Sequence, residues 1–194
     1  MMRHLFVLIL LSFSFGGVPV SAQEEALYDA PVPDDAAFVR FIGVDAPTTV
    51  FGIDVSGDGL SSPAYRVVRA TGLDGAEAGA SYTVLGGQPD GTTLFQEPAR
   101  DPARVMLALV NLTNADITLK TADGSIDIIG ATGPRQMGFR EINPVQVPVA
   151  VHAGDAQLGD VIPLSLRRGQ NPALVVTVDG VELIQSELIS EPLN

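Results

Sequence analysis

Five Asp-Gly dipeptides punctuate this chain, and between them the apolar residues alternate or cluster in short runs instead of following a helical period. The run from Val105 to Pro144, VMLALVNLTNADITLKTADGSIDIIGATGPRQMGFREINP, reads as strand, loop, hairpin, strand. Asp123-Gly124 can supply the positive φ angles of a two-residue type I′ turn. Such a turn sets Lys120 opposite Asp127, Leu119 opposite Ile128 and Thr121 opposite Ile126. Asp179-Gly180 repeats the design, pairing Val178 with Val181, Thr177 with Glu182 and Val176 with Leu183. The remaining dipeptides, Asp58-Gly59, Asp74-Gly75 and Asp90-Gly91, carry turn signals through the first half.

The fold class expected is therefore all-β: two tandem β-sandwich domains, Ig-like or jelly-roll-like, joined by a short linker. The first sandwich spans 38–96, with FVRFIGV, VFGIDV, YRVV, SYTVL and TLF as its strands. QEPARDPAR breaks the pattern with two prolines and no apolar periodicity, which makes 97–104 the linker. The second sandwich spans 105–194, with strands at 105–111, 117–121, 125–129, 137–142, 146–151, 161–166, 174–178 and 181–188. Phe38–Gly59 and Val105–Gly124 share one order of strand, short loop, strand and Asp-Gly turn, a hint that the two sandwiches are related.

The first 22 residues place Arg3 and His4 before an apolar run from Leu5 to Phe15 and end on Val20-Ser21-Ala22, the small-x-small pattern of a secretory cleavage site. That run is shorter than the roughly 20 residues needed to cross a bilayer. Segment 1–22 is thus read as a signal peptide, and 23–37, rich in acids and proline, as an extended N-terminal arm in which Leu27 and Tyr28 could dock. Cleavage would remove Arg3 and take the net charge from −12 to −13, with Lys120 the sole lysine. A surface so acidic excludes nucleic acid, whose recognition rests on Lys and Arg at phosphates, and disfavours direct binding of a polyanion. No cysteine is present, so disulfides and thiolate metal sites are excluded.

Candidate chemistry is sparse. His152 is the only histidine after the signal, and no Gly-x-Ser-x-Gly elbow accompanies it, so a structural role outweighs a catalytic one. Asp54-Val55-Ser56-Gly57-Asp58-Gly59 imitates the start of a calcium loop but has Tyr65 where the twelfth-position Glu belongs. Gly57 to Ser62 lacks the last glycine of a dinucleotide fingerprint. Arg167-Arg168 and the pair Arg135 and Arg140 are the basic concentrations, read as partners for the chain's own acids before contacts to a uronic-acid polymer. Asn111-Leu112-Thr113 matches a glycosylation acceptor. No catalytic, metal or cofactor-binding residue is assigned from these patterns.

Three blocks, ALYDAPVPDDAAFVR, VNLTNADITLKTADG and GFREINPVQV, resemble the AlgF family, the periplasmic accessory proteins of bacterial alginate O-acetylation. The resemblance extends over nearly the whole mature chain, with 43–104 the poorest match. It implies two β-sandwiches in the periplasm, no cofactor and no catalytic motif. The partners implied are periplasmic acetyltransferases and a membrane-bound O-acyltransferase that together esterify the polymer. Residue patterns leave two alternatives beside that accessory role: a carbohydrate-binding module, and an acetyl-transferring enzyme built on His152.

Overall fold

The computed structural model describes residues 32–44, 48–55, 64–88, 91–185 and 188–189. Residues 1–31, read as a signal peptide and most of an extended arm, and most of the calcium-like loop, from 56 to 63, lie outside the described residues. Among those described there is no α-helix, only strands and one 3-10 turn at Ala70–Gly72.

The first domain builds on β1 (Ala36–Ile42), β2 (Thr48–Val50), β3 (Ile53–Val55), β4 (Tyr65–Arg69), β5 (Ser81–Gln88) and β6 (Gly91–Gln96). The second builds on β7 (Val105–Asn111), β8 (Ile117–Thr121), β9 (Asp127–Thr132), β10 (Met137–Ile142), β11 (Gln146–Ala153), β12 (Ala156–Ser165), β13 (Pro172–Val176) and β14 (Val181–Gln185). A last short strand, β15 (Leu188–Ile189), falls within the range drawn for the second sandwich yet pairs with β4. The five-stranded sheet therefore runs β15-β4-β1-β5-β6, faced by the β2-β3 hairpin. Two four-stranded sheets, β10-β7-β13-β14 and β12-β11-β8-β9, make the second sandwich.

The hinted kinship is visible in the sheets. β4-β1-β5-β6 and β10-β7-β13-β14 share the same succession of antiparallel, parallel and antiparallel pairings. Each repeat runs strand, hairpin, strand, then a closing hairpin. The second repeat adds β11 and β12 before its closing hairpin, which widens the facing sheet from two strands to four.

Three apolar cores follow from the two-residue period of the strands. Leu107, Leu109 and Leu174 meet Leu119, Val149, Val151 and Leu164 between the sheets of the second sandwich. Val39, Phe41, Tyr82 and Val84 meet Ile53, Val55 and Leu73 in the first. The third core joins the domains: Ile42 and Leu85 of the first sheet pack on Ala108, Val110, Ala173, Val175 and Ile184 of the second. β7 and β13 are buried along their whole length because both of their faces are covered.

The hairpin registers depart from the simple expectation. Lys120 does face Asp127, at 3.3 Å, but Leu119 pairs with Ile129 across a bulge, not with Ile128. Gly124 alone takes positive φ, +72°, and its N–H closes on the Thr121 carbonyl, so Ala122 and Asp123 form the turn and no type I′ geometry arises. Asp123 accepts from the Thr121 hydroxyl and from the N–H and hydroxyl of Ser125, which fixes the longer loop and holds its carboxyl near pKa 2. At the second hairpin the register is two residues off: Val176 faces Val181 and Leu174 faces Leu183, leaving Val178 84% exposed in a four-residue loop. A shift of two preserves the buried face, so periodicity alone could not detect it. The two-residue turn with two positive φ angles stands at Phe51 (+51°) and Gly52 (+74°), splitting VFGIDV into β2 and β3.

Candidate functional site

One charged residue sits in the middle of an apolar strand. Arg40 lies in β1 between Val39 and Phe41 and is 1% exposed, a position that demands a buried counter-charge. The counter-charge comes from the stretch read as linker: Glu97, directly after β6, where its N–H bonds to the Ser81 carbonyl. Arg40 Nε lies 3.0 Å from Glu97 Oε1 and donates to Thr83 Oγ1 at 2.8 Å. Thr83 Oγ1 donates to Glu97 Oε1 at 2.6 Å, and the Tyr65 hydroxyl lies 2.7 Å from each carboxylate oxygen. Arg100 Nη2 reaches Glu97 Oε2 at 2.9 Å.

The two guanidinium groups also contact the Tyr65 ring, Arg40 at 5.0 Å and Arg100 at 4.3 Å from its centroid. From the second domain, the Asn171 carboxamide oxygen, in the orientation that satisfies both of its polar atoms, accepts from Arg100 Nη1 at 2.8 Å. A cleft of about 750 Å³ opens over this cluster, lined by Tyr65, Glu77, Gln96, Glu97, Arg100 and Asn171 among others.

Electrostatics decide what the cluster can do. Burial alone would raise the Glu97 pKa, but Arg40, the Thr83 hydroxyl and Arg100 outweigh it and hold the carboxyl below its ordinary value. Burial pushes the Tyr65 phenol well above its usual pKa, overriding the opposing pull of Arg40. Glu97 is thus a carboxylate with both oxygens occupied, and Tyr65 a neutral donor. Neither is a base or a nucleophile free to act on a ligand.

The residues singled out from sequence fall elsewhere. His152 lies on β11, paired with Thr118 and Gln157, and its buried Nε2 has no hydrogen-bond partner among the described residues. Asn111 is fully buried: its amide donates to the carbonyls of Ala115 and Thr132, and its oxygen accepts from Thr113, so the acceptor-like motif is a structural turn. Asp54 accepts from the Thr49 hydroxyl at 2.7 Å, and its carbonyl accepts from Arg66. No metal-holding group of His, Asp or Glu occurs among the described residues. The arginines correct an expectation: Arg140, Arg167 and Arg168 are exposed and make no ion pair among the described residues, although acids abound. Arg135, with positive φ, donates its N–H to the Asn111 carbonyl.

Residues 75–173 match the family described as Alginate O-acetyl transferase AlgF. The alginate biosynthesis protein AlgF of Pseudomonas putida is 36% identical, over 82% of this chain and 81% of that one. The chain belongs to the AlgF family. AlgF of Azotobacter vinelandii is 32% identical, over 86% of this chain and 84% of that one, and AlgF of Pseudomonas aeruginosa is 30% identical over 93% and 92%. The solved C-terminal domain of P. aeruginosa AlgF is 34% identical, covers 43% of this chain and 96% of that one, and aligns with a TM-score of 0.38. The family match begins at Gly75, after the β2-β3 hairpin and β4, so those elements of the first domain stand outside it.

Proposed function

We propose that this chain is a non-catalytic accessory protein of alginate O-acetylation, exported to the periplasm, where it holds acetyltransferases of that system together. Membership of the AlgF family supplies the process, and the observation that carries the non-catalytic part is the saturation of the buried cluster. Glu97, the one buried carboxylate of the described residues, has Oε1 held by Thr83 and Arg40 and Oε2 by Arg100, with the single Tyr65 hydroxyl proton in reach of both. His152, the alternative base, has neither a hydroxyl nor a carboxylate hydrogen-bonded to it among the described residues. An enzyme would need one of these groups aimed at open space with a nucleophile beside it.

What the cluster does instead is mechanical. Arg100 ties Glu97 and Tyr65 of the first domain to Asn171 of the second, beside the apolar core the domains share. These contacts join the two sandwiches, and a joined pair with several surfaces to offer suits an adaptor.

The test is the acetyl-ester content of alginate secreted by a strain lacking the gene, complemented with wild-type or His152→Ala protein. Acetylation restored by both supports the accessory role. Restoration by wild type alone assigns catalysis to His152, and unchanged acetylation in the deletion strain removes the process from this protein.

A further inference from the structure

Arg140, Arg167 and Arg168 are exposed and make no ion pair among the described residues, in a chain of net charge −12. Two of them, Arg167 and Arg168, occupy the turn between β12 and β13. That turn is tied to its neighbours by hydrogen bonds: Gly169 N–H to the Arg104 carbonyl (2.8 Å), Leu166 N–H to the Val145 carbonyl (2.9 Å) and Arg167 N–H to Gln170 Oε1 (2.7 Å). The loops 101–104, 143–145 and 166–170 therefore form one stitched end of the second sandwich. Arg140 follows two residues up β10, whose last residue, Ile142, pairs with Val105 at this same end.

The acids at this end are already engaged. Glu141 pairs with Arg104 at 3.3 Å, Asp101 accepts from the Ala103 N–H, and Asp127 pairs with Lys120. The β8-β9 hairpin closes the same end, its Ala122 N–H on the Pro148 carbonyl. Two exposed aliphatic side chains are found there, Val145 at 41% and Ile126 at 60% exposure. Arginines on a hydrogen-bonded loop cluster that also carries exposed aliphatic carbon have the composition of an interface.

We propose that this end, centred on Arg167 and Arg168 with Val145 beside them, is the docking surface for an acidic patch on a protein partner, and, building on the accessory reading above, that the partner is a periplasmic acetyltransferase. Charge complementarity selects the partner. A compact protein can present carboxylates to Arg167 and Arg168 directly, while acids of this chain more than about 8 Å away are largely screened. A long polyanion would have to run along the acidic body, and it offers nothing for Val145 and Ile126 to cover.

The experiment measures binding of the mature chain to purified periplasmic acetyltransferases of the same bacterium, across ionic strength, for wild type, Arg167→Glu/Arg168→Glu and Arg167→Lys/Arg168→Lys. Thermal unfolding of each variant serves as the fold control. The expected result is salt-sensitive binding by wild type, weakened at least about tenfold by charge reversal and largely retained by the lysine variant. Equal binding by wild type and the Glu variant overturns this surface and leaves the accessory reading standing. Absence of wild-type binding overturns both. Binding of oligomannuronate that is lost in the Glu variant reassigns the surface to the polymer.

Discussion

Arg40 Nε and Glu97 Oε1 lie 3.0 Å apart with both side chains 1% exposed, one in the first strand of the fold and the other in the connection between the two domains. Removing Glu97 takes from the buried Arg40 its carboxylate counter-charge, a loss of the kind that costs about 3–5 kcal/mol. Glu97→Ala is expected to lower stability by that amount in urea unfolding followed by circular dichroism. Arg100→Ala, which removes a partly exposed partner, is expected to cost less, and equal losses in the two variants would show that the pair is not the centre of the cluster.

Protonation reaches the same pair. The folded state holds Glu97 below its ordinary value of 4.5, so its contribution is complete above the unfolded pKa and fades as pH falls through the folded one. Stability measured from pH 7 downward is expected to decline below about pH 4.5. The decline should be shallower in Glu97→Gln, and parallel profiles would place the acid sensitivity elsewhere.

Gly86 lies in β5 where a Cβ would come within 2.2 Å of the Gly43 carbonyl oxygen. Backbone cannot yield as a side-chain end can, so Gly86→Ala is expected to destabilise by more than about 2 kcal/mol. Gly130→Ala, whose Cβ meets nothing within 4 Å, is the matched control and should unfold close to wild type.

Phe51 holds a left-handed conformation at φ +51° in the β2-β3 turn, a strained state for a bulky residue. Phe51→Asn keeps the turn and relieves that strain, so a gain of about 1 kcal/mol is expected in thermal unfolding. No gain would mean that the half-exposed ring makes contacts worth as much as the strain.

How far the fold was legible follows from which signals are local. Val105–Asn111, Ile117–Thr121 and Met137–Ile142 were readable to the residue because apolar period and turn residues agree there. At the first hairpin Lys120 opposite Asp127 was readable and the bulge beside it was not; at the second the register was not, since Asp-Gly flanks suit both two- and four-residue loops and a shift by two leaves every buried face in place. The split of VFGIDV escaped because its turn carries Phe51 where Asn or Gly is usual. The central cluster was half legible. An arginine inside FVRFI announces a buried charge, but its partner lies 57 positions away in a proline-rich stretch that carries no periodic signal. That Arg167 and Arg168 make no ion pair among the described residues is a fact of three dimensions and has no sequence signature.

Leu188–Ile189 pairs in parallel with Tyr65–Arg66, so the edge of the sheet that contains the first strand is supplied by nearly the last residues of the chain. The second sandwich can assemble from contiguous chain, whereas the first domain stays open along one side until residues 188–189 are available to it. Removing the chain from residue 188 onward would therefore injure the first domain and spare the sheets of the second, and the closing of that edge is a long-range step that comes late in folding.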